Sequence, residues 1–467
     1  MKNFRILLTW LFLSVAFLPL NSQTIVISGS GKGYSNKELR LFRISDPVTK
    51  DYIPLCRITC DNTGRFECRF EAVKDEYVVI RAGIYDLGFI IDTISDYSLV
   101  LPDYTALSPE DEQNSFFAYT YATPLISGIN ANVNNLISSF DSVYNPVFNR
   151  IAGRVMYNFR KGEIPEIISG LNKLTDKSDR IFYKDYVRYR LVMLNQVAFG
   201  HYPGRVEDSV FINSKFNPSN PAWCDLIEQM FRGALGRLAS GKNGSMFRQA
   251  ILASSSSKLK DLMLKEGMLS NEQLAEYVII LNLYMEAPGS SIPPANSLKI
   301  LQELDSLGSN VFIRSLAEEV LHKMTALTPG TFPPPLVLKN EKGASVTLSD
   351  FRGKFVLVSF AEAGNAFSMS EYEILNTWLP RFSDRIVMIS VLRDRNFNQA
   401  VSRMRNSGFG WLCLDGSKAD IEAYNYEVGM LPAFLLVGRD GRIAVKPCPY
   451  PSERLENLIE RLTEGVN

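Results

Sequence analysis

Histidine is nearly missing from this chain, with two in 467 residues, and its six cysteines never form a Cys-x-x-Cys pair. His201 and His322 lie far apart and lack ligand-like spacing. No metal-catalytic cluster is therefore expected, and no residue calls for a cofactor. Cys56, Cys60, Cys68, Cys224, Cys413 and Cys448 are too sparse for a disulfide scaffold. Neither sign of charge is in excess, since Lys+Arg and Asp+Glu both number 50. A general nucleic-acid binder needs a basic surplus to neutralise phosphates, so that class is set aside. Past the N-terminus no apolar run approaches a membrane span, and no repeat of fixed period occurs.

The N-terminus is different. Lys2 and Arg5 precede an apolar run from Ile6 to Leu20, and a short polar Asn-Ser-Gln follows. This is the pattern of a secretory signal peptide, assigned here to residues 1–22. The run is short for a bilayer-spanning anchor. No cysteine stands near the cleavage position, so a lipid anchor is not expected. The expectation is an exported protein, periplasmic in a Gram-negative cell, with no integral membrane segment after cleavage. Export makes disulfides chemically available.

The length calls for two to three domains. The composition, 46% hydrophobic and 21% charged, is that of an ordinary globular protein. The expected class is multidomain α+β. Residues 24–104 hold short alternating runs separated by turn residues, which predicts a β-sandwich. Within it Cys56, Ile58 and Cys60 alternate onto one face. Phe66, Cys68 and Phe70 do the same across Asp-Asn-Thr-Gly, which predicts a hairpin with these six in the core. A disulfide from Cys68 to Cys56 or Cys60 depends on a register that the sequence leaves open. Residues 124–327 turn helical. Phe182, Tyr186, Tyr189, Met193 and Val197 fall at helical spacing, more simply a core stripe than a binding pocket. Ser270 with Gln273 predicts a capped helix start. The proline-rich "TPGTFPPP", Thr328 to Pro335, marks a boundary. Residues 332–467 interleave apolar strands with helices, an α/β domain, and Asp440-Gly441 predicts a hairpin between its last strands.

This last segment resembles the thioredoxin-like domain of the exported TlpA-type thiol-disulfide reductases, over about its last 135 residues. The resemblance is carried in order by "LSDFRGKFVLVSF" (Leu348 to Phe360), "NAFS" (Asn365 to Ser368) with Glu371, "MLPAFLLVGRDGRI" (Met430 to Ile443) and a closing helix. It implies that Phe355–Phe360 is a central strand, that Asn365 opens a helix and that Pro432 is a cis-proline. The sandwich and helical regions also resemble the N-terminal extension of many such proteins. "NAFS" stands where the family has Cys-x-x-Cys, and the family's tryptophan and proline near that motif are absent, Ala361 and Gly364 lying N-terminal to it and Glu373 on the helix.

The departure falls on the chemistry. A family cysteine at a helix N-terminus is activated because free N–H groups and the helix dipole favour its thiolate. Neither Asn365 nor Ser368 can attack a disulfide, and no histidine is near in sequence to activate the hydroxyl. No catalytic residue is assigned. Asn365 or Ser368 is expected to cap the helix. Asn365, Ser368, Leu431 and Pro432 are the expected binding positions, where a helix end and the backbone before a proline meet an extended chain. Two function classes follow. One is a non-catalytic protein that binds or assembles polypeptide partners of the cell envelope. The other is a TlpA-like oxidoreductase working through unconventional cysteines or a partner.

Overall fold

The computed structural model describes residues 23–72, 76–91, 96–108, 111, 117, 119–127, 131–154, 163–174, 178–199, 216–266, 269, 271–285 and 292–464. The signal-peptide assignment, His201 and Ser270 lie outside them.

The N-terminal strands are β1 (Gln23–Ser30), β2 (Glu38–Ile44), β3 (Tyr52–Thr59), β4 (Arg65–Ala72), β5 (Glu76–Ala82), β6 (Tyr85–Ile91) and β7 (Tyr97–Val100). Two more, β8 (Thr120–Ala122) and β9 (Leu125–Ser127), lie beyond Tyr104. They form two sheets, β4-β1-β7-β9 and β3-β2-β5-β6-β8. Strict alternation on β4 buries Phe66, Cys68 and Phe70 and exposes Arg65, Glu67 and Arg69, as expected. The hairpin reading is corrected, because β3 and β4 belong to opposite sheets. Alternation alone cannot separate a hairpin from a crossing between layers, since both bury the same faces. Pairing decides it: β4 runs antiparallel along all of β1. Asp61 Oδ1 accepts from the Thr63 and Arg65 N–H groups at the crossing. A Cys56–Cys68 disulfide joins the two layers, and Cys60 is a free, buried thiol.

The helical region holds α1 (Ala131–Arg154), α2 (Ile164–Asn172), α3 (Ile181–Phe199), α4 (Pro221–Phe231) and α5 (Ala234–Ser240). It continues through α6 (Gly244–Leu252), α7 (Ser256–Lys265), α8 (Glu272–Met285), α9 (Pro294–Leu307) and α10 (Val311–Thr325). Tyr186, Tyr189 and Met193 of α3 are buried in its core, with Phe182 and Val197 packed at the margin. The α8 start is capped by Asn271, whose side chain accepts from the Leu274 N–H at 3.1 Å. His322 is exposed on α10. No helix among the described residues is long and apolar enough to cross a membrane.

The C-terminal domain begins with a hairpin, β10 (Val337–Lys339) and β11 (Ser345–Thr347). Its main sheet comprises β12 (Phe355–Ala361), β13 (Ile386–Leu392), β14 (Leu412–Asp415), β15 (Ala433–Val437) and β16 (Ile443–Val445), in the order β14-β13-β12-β15-β16. β12, β13 and β14 run parallel, and β15 and β16 are antiparallel. A parallel βαβ half followed by an antiparallel hairpin is thioredoxin-like topology. Helices α11 (Ala366–Trp378), α12 (Phe397–Asn406), α13 (Asp420–Asn425) and α14 (Leu455–Glu464) complete it. The central strand β12 is covered on both faces, which explains why its residues are apolar apart from Ser359. Val356, Val358 and Phe360 face one core, Leu357 and Ala361 the other.

Salt bridges tie the three domains together. Lys323 of α10 reaches Asp51 of the sandwich side and Glu427 of the C-terminal domain, each at 2.9 Å. Arg57 of β3 grips Asp420 of α13 with two hydrogen bonds, at 3.1 and 2.6 Å. The proline-rich segment is docked rather than free, because Gly330 and Thr331 exchange backbone hydrogen bonds with Ile443. Lys323 is half-buried, and Lys323→Ala is expected to lower stability by about 1 kcal/mol. Chemical denaturation of the variant checks this.

Candidate functional site

β12 ends at Ala361, and the turn after it is held by the neighbouring parallel strand. Asp394, two residues past β13, accepts from the Ala363 N–H at 2.7 Å and the Gly364 N–H at 3.1 Å. The chain then enters α11 through Asn365, whose backbone is extended and whose side chain accepts from the Ser368 N–H at 2.9 Å. Asn365 is thus the helix cap.

Ser368 is 0% exposed, and its Oγ has no hydrogen-bond partner. Its expected place on an accessible surface is corrected. Ser368, Tyr372 and Leu375 share one helical face, and that face packs on the sheet. A buried, unpaired hydroxyl is destabilising. Ser368→Ala is therefore expected to raise stability by about 1 kcal/mol. A thermal melt showing no gain or a loss would count against this account of the hydroxyl.

The side chains under α11 form a fixed polar core. Tyr372 Oη lies 2.8 Å from Ser359 Oγ and accepts from Ser390 Oγ at 2.9 Å. Ser390 in turn accepts from Trp411 Nε1 at 2.8 Å. Burial holds the Tyr372 phenol neutral by pushing its pKa up. Glu371, also buried, accepts from the Ser452 N–H at 3.0 Å and the Ser452 hydroxyl at 2.7 Å. It braces α11 against the C-terminal segment. Tyr372→Phe is expected to cost about 1 kcal/mol, by leaving Ser359 without its phenol partner. A denaturation midpoint equal to that of the unmodified protein would remove the network from the stability account.

The Leu431–Pro432 peptide is cis, and so is Lys446–Pro447, which the sequence reading did not single out. Ala433 pairs with Phe360, so Pro432 sits at the sheet end from which α11 starts. Leu431 is half-buried and Pro432 buried. Apolar exposure at this end comes from residues the sequence reading passed over. Phe367 is 41% and Met430 37% exposed. The Phe367 ring meets Tyr450 edge-on at 5.2 Å, and Tyr450 leans on Phe434 at 6.4 Å. Phe367 had a legible signal, because it stands one position off the buried Ser368 face. Tyr450 had none, since a contact 83 residues away has no local trace.

The free thiols are poor redox groups. Cys413 on β14 is 0% exposed, and burial pushes its thiol up to about 11. Burial pushes Cys448 up to about 12, only partly offset by Lys446. Cys224 and Cys60 are raised the same way. At neutral pH each is held as the unreactive thiol.

No family's sequence model and no curated protein matches the chain. Solved structures align with about 30% of the chain. The thioredoxin domain of a thiol-disulfide oxidoreductase from Bacteroides vulgatus shares 24% identity over 29% of this chain and 98% of that one, with a TM-score of 0.27. A thiol:disulfide interchange protein from a Bacteroides species shares 27% over 31% and 95%, with a TM-score of 0.28. A thiol-disulfide oxidoreductase from Bacteroides fragilis shares 18% over 28% and 100%, with a TM-score of 0.25. The thioredoxin-like character of the domain stands on its own strand order and strand directions.

Proposed function

We propose that this is an exported thioredoxin-like protein of the cell envelope that has lost redox catalysis and binds extended polypeptide at the α11 end of its sheet. The observation carrying the reading is the first turn of α11. The position that would bear an attacking thiol holds the capping amide of Asn365, and the third helical residue is the sealed Ser368. The remaining thiols are buried or, at Cys448, half-buried, and all are raised, which weighs against an oxidoreductase acting through them. The exposed Phe367 ring and the exposed Met430 next to Leu431 favour retention of a contact surface. Leu431 stands just outside the ladder that begins at Ala433. Its position before a proline holds it extended, suited to strand-like pairing with a passing chain. Such binding is reversible because no covalent step secures it.

The test is fluorescence anisotropy with an unfolded, cysteine-blocked polypeptide. The purified protein is expected to bind it, and Phe367→Asp with Met430→Asp, both at exposed positions, to weaken binding by about tenfold or more at a nearly unchanged melting temperature. Equal binding by the variant would move the contact to the sandwich or helical region.

A further inference from the structure

One face of the sheet β3-β2-β5 carries a row of three arginines. Arg40 of β2 stands directly opposite Arg57 on β3 and Arg81 on β5. Like charges directly opposite one another destabilise a sheet. Two of the three are neutralised by bidentate pairs, Arg81 with Asp86 and Arg57 with Asp420. Arg40 is not matched in this way. Its ion pair is Glu38 at 3.6 Å, and Glu38 is shared with Arg57 and with Arg395 at 2.9 Å.

This face fronts the C-terminal domain across a cavity of about 310 Å³. On the far side, α12 turns Asn396, Gln399, Ala400 and Arg403 toward the space, the i, i+3, i+4, i+7 stripe of one helix. Arg403 is exposed and forms no salt bridge among the described residues. The wall includes Arg393, whose side chain is 8% exposed and whose Nη2 donates to Asp420 at 2.7 Å. Five arginines, Arg40, Arg57, Arg393, Arg395 and Arg403, thus converge where two carboxylates, Glu362 and Asp394, also reach the cavity. Both Asp394 oxygens are already taken by the Ala363 and Gly364 N–H groups. Burial and the Asp394 charge raise the Glu362 pKa against the pull of the arginines.

We propose that this cavity is a binding site for a small phosphate- or sulfate-bearing molecule, its tetrahedral oxyanion held by Arg40 and Arg403. Two planar guanidinium forks reaching in from different domains suit an oxyanion with several peripheral oxygens better than a carboxylate, which one fork satisfies. The Gln399 N–H is taken by Asn396 Oδ1, and the dipole of α12 favours the same charge. The volume is at the low end for small-molecule pockets, which limits the ligand to a compact one. None of the residues lining the cavity is aromatic, so a nucleobase would have nothing to stack on. The ligand would bridge the sandwich and the C-terminal domain, and binding would stabilise their contact.

The experiment titrates the full protein, dialysed into chloride buffer at constant ionic strength, with inorganic phosphate, sulfate or glycerol phosphate. Melting temperature and isothermal calorimetry are both read. A saturable rise in melting temperature is expected, with the affinity reduced by about tenfold or more in Arg40→Gln/Arg403→Gln. Both positions are solvent-accessible, so the variant should melt like the unmodified protein in chloride alone. Tighter binding of glycerol phosphate than of phosphate would assign the site to an ester, and equal binding to the free oxyanion. An unsaturable rise, or one of equal size in the variant, is the general stabilisation that these salts give any protein and overturns the proposal. No rise, with no heat of binding, overturns it as well.

Discussion

Asp420→Ala is expected to lower stability by about 3 kcal/mol, the largest loss from any single polar residue described here. The carboxylate lies between Arg57 and Arg393, with hydrogen bonds of 2.6 and 2.7 Å to Oδ1 alone. Removing it leaves two guanidinium groups, 19% and 8% exposed, facing each other without their shared acid. Repulsion and desolvation then add. Burial acts to raise the Asp420 pKa, but the Arg57 hydrogen bonds and the charges of Arg57, Arg393 and Arg40 outweigh it and hold the carboxyl below its ordinary 3.8. The folded pKa is depressed, so the stabilisation is fully present above 3.8 and is lost as pH falls through the lower folded value. Melting of the unmodified protein should therefore carry an acid-side loss that Asp420→Ala lacks. Asp420→Asn, which keeps an acceptor but no charge, should fall between the two. A variant that melts like the unmodified protein at neutral pH would mean that the domains are held together by other contacts.

Installing two cysteines, Asn365→Cys with Ser368→Cys, is expected to create disulfide reductase activity at least about tenfold above the unmodified protein. The helix start supplies what a thiol there needs. Position 365 lies at the cap of a 13-residue helix, where unpaired N–H groups favour a thiolate. The side chain at 368 is sealed and has no hydrogen bond of its own to lose, an environment suited to a small apolar thiol. The new thiol at 365 should titrate below the ordinary value for cysteine, the one at 368 above it. Thiol alkylation rates against pH measure both. Ordinary reactivity at 365 would mean that Asp394 and Glu362, close to the same turn, cancel the helix effect.

Much of the C-terminal domain was legible because its signals are local. A short, β-branched and largely apolar run bounded by turn residues fits a strand covered on both faces, and Phe355–Ala361 is that strand. Asp440-Gly441 sets the last hairpin, with Gly441 at φ +81°. The helix cap was narrowed to Asn365 or Ser368, and local geometry chose Asn365. What the sequence hid was long-range. Alternation placed Cys56 and Cys68 in one core without revealing that they sit on different sheets. Ser368 looked like a surface polar residue, until the phase of α11, set by Tyr372 and Leu375, turned it inward. The arginine row across β3, β2 and β5 depends on register, and its C-terminal neighbours lie more than 300 residues away.

The proposal that the thioredoxin-like domain works without thiol chemistry predicts the outcome of an insulin-reduction assay of the unmodified protein supplied with dithiothreitol. The expected result is turnover no faster than the reductant alone, at every protein concentration tried. Turnover comparable to that of a thioredoxin with an intact Cys-x-x-Cys pair would contradict the claim and return Cys413 and Cys448 to the active-site question.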